Sequence, residues 1–220
     1  MKEWDEEYGK IISDMFGGLD NYLKVKLKLR RPMINQIIEH AGKEKPIIEC
    51  GIGTGKMSSF LALLGYRAFG IDIDDNMLKI AKKTSDKMCL ENPVQLLNAD
   101  IKDIPFDDKY FSVAHSSGVL EHFSDQEITG ILREEMRVAD TVVLAVPSPY
   151  FCEDEKMRGD ERFLPKGKWR ELIFESRASI IADKEFHLLP FLKRLARYTK
   201  RPEKIFAPKA MHLFTINARG

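Results

Sequence analysis

Between residues 45 and 146, short apolar runs alternate with stretches whose apolar residues recur at helical spacing. The runs at 45–50, 67–73, 94–97, 110–115 and 141–146 are too short for helices and read as strands. Between them, 56–64 carries Met57, Phe60, Leu61 and Leu64 at helical spacing, and 76–87 carries Met77, Leu78, Ile80 and Ala81 on one side. A third helix at 124–139 opens on Ser124 with Glu127 three residues on, the pattern of a capping box. Apolar strands separated by helices require a parallel sheet covered on both faces, and right-handed crossovers make it a doubly wound α/β fold. After residue 150 the pattern loosens. A charged, loop-like stretch at 151–168 precedes a helix at 169–176, a strand at 179–188, a short basic helix at 191–198 and a last strand at 211–218. Upstream, the Leu/Lys alternation of 23–29 and the apolar Ile34, Ile37 and Ile38 both read as helix, with Pro32 in the first turn of the second piece.

At 220 residues the chain is long enough to bury one large core without disulfides or metal. Hydrophobic and charged contents of 44% and 31% exclude a disordered chain, a collagen and a disulfide scaffold. No apolar run approaches the ~20 residues that span a bilayer. The first ten residues are acidic and lack a signal core, so a cytoplasmic location is expected. Cys50, Cys89 and Cys152 are an odd set without C-x-x-C spacing and read as reduced thiols. A net charge of +1 supplies no global field for nucleic acid. Local basic clusters at 24–31 and 193–209 read first as solvated faces and second as anion-binding patches.

Chemistry concentrates at the strand ends. Glu49-Cys50-Gly51-Ile52-Gly53-Thr54-Gly55 follows the first strand and opens a helix, where open α/β sheets place ligands. Asp72 ends the second strand, 21 residues after Gly51. Its carboxylate accepts only, which suits a pair of ribose hydroxyls. Asp74 and Asp75 look like caps of the following helix. The third strand ends in Asn98-Ala99-Asp100-Ile101, followed by Lys102-Asp103-Ile104-Pro105-Phe106.

Together these phrases resemble class I S-adenosylmethionine-dependent methyltransferases, in the small-molecule, methyltransferase type 11-like branch. The resemblance runs from about Pro46 to Val146 and more loosely to the end. It implies a Rossmann-like doubly wound seven-stranded sheet, mostly parallel with an antiparallel last strand, in the order 3-2-1-4-5-7-6. It implies one domain over 1–220, with 1–31 as an N-terminal covering segment and 150–175 as a lid. It implies S-adenosyl-L-methionine as cofactor, with Glu49, Gly51, Gly53 and Gly55 around its methionine part. Asp72 would hold the ribose, Asp100 the adenine amino group, and Met77 and Ile101 would flank the adenine. The phrase from Phe111 to His122 looks like the fourth-strand phrase of that branch, with Ser116 beside the cofactor; Glu121 and His122 are the catalytic candidates by their position after the fourth strand, near where the acceptor should sit, and not through the resemblance.

Methyl transfer needs a nucleophile held in line with the S–CH3 bond near 3 Å, while a general base depends on the acceptor. Besides Glu121 and His122, the titratable candidates are His115, Tyr150 and His187; Trp4 and Tyr8 are aromatic residues suited to a lid. A small-molecule acceptor is expected, with RNA or protein, a nicotinamide dehydrogenase and a non-catalytic cofactor-binding protein as rivals. The dehydrogenase fingerprint fails at its sixth position, where Lys56 stands for glycine. The N/D-P-P-Y phrase, the Pro-Cys nucleophile and a P-loop are absent, and no His, Cys or Asp cluster has metal-ligand spacing.

Overall fold

The computed structural model describes residues 21–88, 90–149, 160–187 and 210–218, with backbone alone at 21–29, 187 and 210. In chain order the elements are α1 (Asn21–His40), β1 (Ile47–Cys50), α2 (Lys56–Leu63), β2 (Ala68–Asp72), α3 (Asp75–Lys87), β3 (Gln95–Asn98) and β4 (Phe111–Ser117). A 3₁₀ turn (Leu120–His122), α4 (Asp125–Val138), β5 (Ala139–Pro147), α5 (Lys166–Glu175), β6 (Ala178–His187) and β7 (Ala210–Ala218) follow. Seven strands form one sheet in the order β3-β2-β1-β4-β5-β7-β6. β1 to β5 pair in parallel, and β7 is antiparallel to both β5 and β6. The expected strand order is therefore observed. Among the described residues no helix is long and apolar enough to cross a membrane.

Alternate strand residues feed two cores, as a period of two requires. On one face Ile47, Val113 and Val143 meet Met33, Ile34 and Ile37 of α1 and Phe60 and Leu61 of α2. On the other, Ile48, Ala114, Val142 and Leu144 meet Ile128 and Leu132 of α4 and Trp169, Leu172 and Ile173 of α5. Local signals set the helix starts. Ser124 Oγ accepts from the Glu127 amide while the Glu127 carboxylate accepts from the Ser124 amide, closing the expected capping box. Asp74 caps α3 by accepting from Asn76 N at 2.8 Å.

Some expectations change. The two helical pieces flanking Pro32 form one helix, α1. An internal proline costs roughly 3 kcal/mol, and the full burial of Met33, Ile34 and Ile37 beside it offsets that. Ile80 is exposed, because α3 turns Leu78, Ala81 and Ser85 inward and Ile80 sits about 100° from Ala81. The helix expected at 169–176 starts three residues earlier, at Lys166, and its Trp169 is completely buried in the core. Trp169, Leu172 and Ile173 of this helix are buried, while its Gly167, Arg170, Glu171, Phe174 and Glu175 are exposed. The expected basic helix at 191–198, and Trp4, Tyr8, Cys89, Tyr150 and Cys152, lie outside the described residues.

Candidate active site

The parallel strands bring the singled-out residues of β1, β2 and β3 to one edge. Cys50 pairs with Ile71 and Asp72 with Asn98, so Gly51, Asp72 and Ala99 leave neighbouring strands at the same level. Gly51, Gly53 and Gly55 all have positive φ, at 71°, 52° and 67°. Two of them are also pressed by neighbours. A Cβ on Gly51 would lie 2.6 Å from Val119, and one on Gly55 2.8 Å from Ala81 of α3. A Cβ on Gly53 would meet nothing within 4 Å, so the turn presents bare backbone outward at that point. Gly70 is small for another reason: the Ile52 side chain lies on it, 2.0 Å from where a Cβ would be.

Three acids hold backbone amides along this edge. The two oxygens of Asp72 accept from Gly53 N and Asp74 N, each at 3.0 Å, which ties the glycine turn to the end of β2. Glu49 accepts from Ser58 N at 3.1 Å and from Ser58 Oγ at 2.5 Å, bracing the first turn of α2. Burial pushes the Glu49 carboxyl up to about 7, against those bonds and the Arg30 charge. Asp100 accepts from Lys102 N at 2.9 Å. Asp72 and Asp100 are only half-buried, and a carboxylate has about four acceptor sites, so both retain capacity for a ligand. Met77 is half-buried in the first turn of α3, and Ile101 is buried in the layer facing α4.

The other half of the edge, at the end of β4, is built from distant parts of the chain. Arg30 reaches from α1 to donate to Ser117 Oγ, and its charge is felt by Glu49 and Glu121. Glu121 is 5% exposed, and burial pushes its carboxyl up to about 7. Its Oε2 has no hydrogen-bond partner. His122 Nδ1 lies 2.8 Å from Asp160 Oδ1. Arg162 N donates to Glu121 O at 2.9 Å, which lays 160–162 alongside the 3₁₀ turn.

His115 is completely buried opposite Glu49 and Val143, and neither ring nitrogen has a partner. Burial pushes it down to about 3, so it is neutral and packs as a core residue. Ser116 is not brought to the rim. It is buried on the α4 side beside Glu135, and the next residue, Ser117, occupies the rim. Glu135 itself is fully buried near the Cys50 thiol and the Ser116 hydroxyl without a hydrogen bond, and burial pushes it up to about 7. The His187 side chain lies outside the described residues.

Sequence reasoning missed Arg30, Ser117, Glu135, Asp160 and Glu161. Arg30 reads in the sequence only as one member of a basic cluster, and the pairing of His122 with residues 38 and 39 positions away leaves no local spacing to detect. The absence of a metal-ligand spacing is likewise a local statement. The fold brings one ligand atom each of His122, Asp160 and Glu161 within 4.8 Å of one another.

A mostly parallel sheet in this order, with a backbone-lined glycine turn and an acid at each of the next two strand ends, defines a Rossmann-like fold of the kind that binds nucleotide cofactors. The Methyltransferase domain family matches residues 47–141. The uncharacterized methyltransferase YodH of Bacillus subtilis is 34% identical over 95 residues, 43% of this chain and 39% of that protein. The chain thus spans well under half of that curated relative. Geranyl diphosphate C-methyltransferase from Streptomyces coelicolor A3(2) superposes with a TM-score of 0.66 at 13% identity, over 92% of this chain and 86% of that one. Magnesium protoporphyrin IX methyltransferase from Synechocystis PCC 6803 superposes with a TM-score of 0.61 at 15% identity, over 93% and 88%. Over residues 47–141 the chain is thus similar in sequence to methyltransferases, and its sheet has the fold of the methyltransferases it superposes on.

Proposed function

We propose that this chain is an enzyme that binds S-adenosylmethionine and moves its methyl group to a small-molecule acceptor by in-line displacement. The observation that carries the reading is the glycine turn clamped by Asp72. Its backbone is bare at Gly53, its glycines cannot bear side chains at 51 and 55, and the acid that clamps it keeps acceptor capacity for a ribose. The bound cofactor supplies a sulfonium methyl group that is already electrophilic. The chain's own residues have to hold it, align the acceptor and exclude water. Gly51, Gly53 and Gly55 would pass along the methionine part, Asp72 would take the ribose hydroxyls, and Asp100, Met77 and Ile101 would meet the adenine. Glu49 acts on that site from behind, by fixing the start of α2.

Glu121 and His122, at the end of β4, face the side on which the acceptor would enter. The small-molecule class is supported by the chain's balanced charge and by neighbours of the same fold, among them a geranyl diphosphate C-methyltransferase and a magnesium protoporphyrin IX methyltransferase.

Calorimetry with S-adenosylhomocysteine and with NAD tests the cofactor assignment. One equivalent of S-adenosylhomocysteine binding, and no NAD binding, is expected. The opposite pattern would sink the reading. Methyl release to a panel of small acceptors, against RNA and protein fractions, then separates the acceptor classes.

A further inference from the structure

We propose that Asp160 is a positioning residue that holds His122 as the general base for a hydroxyl-bearing acceptor at the end of β4. His122 Nδ1 and Asp160 Oδ1 are 2.8 Å apart, and among the described residues Nε2 has no hydrogen-bond partner. A carboxylate only accepts hydrogen bonds, so this bond puts the ring proton on Nδ1. In the neutral ring Nε2 is then the unprotonated nitrogen, and its lone pair is turned away from Asp160. Which nitrogen carries the proton is set by the bond the other one makes, and here a residue 38 positions away makes that bond.

The pair is held by contacts between two segments. Arg162 N donates to Glu121 O at 2.9 Å, and the Arg162 guanidinium donates to Phe123 O at 2.6 Å and to Asp125. Asp125 also pairs with Lys168 at 3.0 Å. These bonds grip the residues on either side of His122, and so set the register of the strand of chain that carries Asp160 against the ring. The side chains of His122 and Asp160 are 20% and 58% exposed. The carboxylate is therefore the outer member of the pair, and the ring turns Nε2 away from it. Two further carboxyls lie close by. The Glu121 and His122 charges act on each other, and a Glu161 oxygen lies within 4.8 Å of the paired atoms. Negative groups at this range favour the imidazolium that forms when Nε2 takes up a proton.

The turn that carries His122 also packs on the cofactor half. His122 N donates to Val119 O at 3.2 Å, and Val119 lies over Gly51, 2.6 Å from where a Cβ would be. One 3₁₀ turn thus connects the ring to the glycine turn. The chemical consequence rests on the methyl-transfer reading, whereas the tautomer does not. A hydroxyl oxygen has to lose its proton as it is methylated. As that oxygen bonds to the methyl carbon, the carbon–sulfur electron pair stays on sulfur and the hydroxyl proton passes to Nε2. The imidazolium so formed donates from Nδ1 to Asp160, a charge-assisted bond that is stronger than the neutral one it replaces. A carboxylate or a thioether acceptor has no such proton to lose, so a base at this place points to a hydroxyl.

The first test needs no methyl transfer. Long-range 1H–15N correlation spectra are recorded on the full chain labelled with 15N-histidine, at a pH where the imidazole is neutral, and His122→Gln identifies the signals of this ring. The parent should show a protonated Nδ1 and an unprotonated Nε2. Asp160→Ala should move the proton to Nε2, and Asp160→Glu should keep the parent pattern. A parent ring protonated on Nε2, or a pattern unchanged in Asp160→Ala, overturns the proposal. The second test follows methylation of phenol, catechol and 4-nitrophenol from S-adenosylmethionine. For phenol, kcat should fall about a hundredfold or more in His122→Gln and about tenfold or more in Asp160→Ala, with KM unchanged. The more acidic 4-nitrophenol should be affected least. Equal losses on phenol and 4-nitrophenol overturn the base assignment, as does a parent chain that binds S-adenosylhomocysteine and methylates none of the three. Calorimetry with S-adenosylhomocysteine keeps the two readings apart. Affinity retained in both variants supports a role in proton transfer. Its absence already in the parent chain counts against the cofactor assignment, and the nitrogen spectra then still decide whether Asp160 sets the tautomer.

Discussion

The two halves of the strand-end edge are made in opposite ways. The half over β1 to β3 is local. Each of its acids binds a backbone amide close in sequence, as Asp100 does to Lys102 N and Glu49 to Ser58 N, or on the adjoining strand end, as Asp72 does to Gly53 N. The half over β4 is assembled from afar. Arg30 comes from α1, Glu121 and His122 from a 3₁₀ turn, and Asp160 and Glu161 from beyond β5. A cofactor common to many enzymes can be held by backbone geometry, which a short motif encodes. An acceptor particular to one enzyme is met by side chains, and these can be drawn from anywhere the fold converges.

The sharpest way to break the local half is Gly55→Ala. It forces a left-handed residue and puts a methyl group 2.8 Å from Ala81. Strain of about 1–2 kcal/mol and overpacking of about 1–3 kcal/mol should lower stability by roughly 2–5 kcal/mol, read by urea unfolding, and should reduce cofactor affinity with it. An unchanged midpoint would show that α3 can retreat from the turn.

The layer beneath the edge responds to pH. Burial holds the Glu135 carboxyl near 7 instead of near 4.5, so the folded chain binds its proton more tightly than the unfolded chain. The stability this proton supports is present in full below about pH 4.5 and is lost as pH rises through about 7. Glu135→Gln should remove a contribution on the order of 2–3 kcal/mol to that decline, so the variant loses less stability between pH 5 and pH 8 than the parent. Parallel unfolding curves at the two pH values, giving the same decline in both proteins, would show that Glu135 ionises freely. The other buried carboxyls keep their own share of the slope.

Asp72→Ala addresses the cofactor half without touching the core. Charge-assisted hydrogen bonds are worth roughly 1.5–3 kcal/mol, so S-adenosylhomocysteine affinity should fall about ten- to over a hundredfold in a folded protein. Unchanged affinity by calorimetry would reduce Asp72 to a brace of the glycine turn. The smallest effect belongs to Ser124→Ala, which opens the capping box directly after the β4-side turn. A loss of about 1 kcal/mol is expected in thermal or urea unfolding, with cofactor affinity unaltered. A drop in affinity would mean that the two halves are coupled through α4.

How much was legible follows the same division. The strand–helix alternation, the capping box and the glycine turn are written at spacings of two to about twenty residues. Periodicity and backbone sterics act over that range, so the sheet, most helix positions and the glycine turn were readable. The sequence could not show that Pro32 lies inside one helix, since the compensation is burial of Met33, Ile34 and Ile37 against the sheet. Nor could it show that Trp169 belongs to the core, because α5 is amphipathic only with respect to a face that β7 completes. Ser116 and Ser117 are adjacent and alike in sequence. The pleat sends one toward Glu135 and leaves the other to Arg30. The sequence by itself determined the class of fold and the backbone cradle. The tertiary structure alone decided which distant charges meet at the end of β4, because burial and proximity arise only when separate segments pack together.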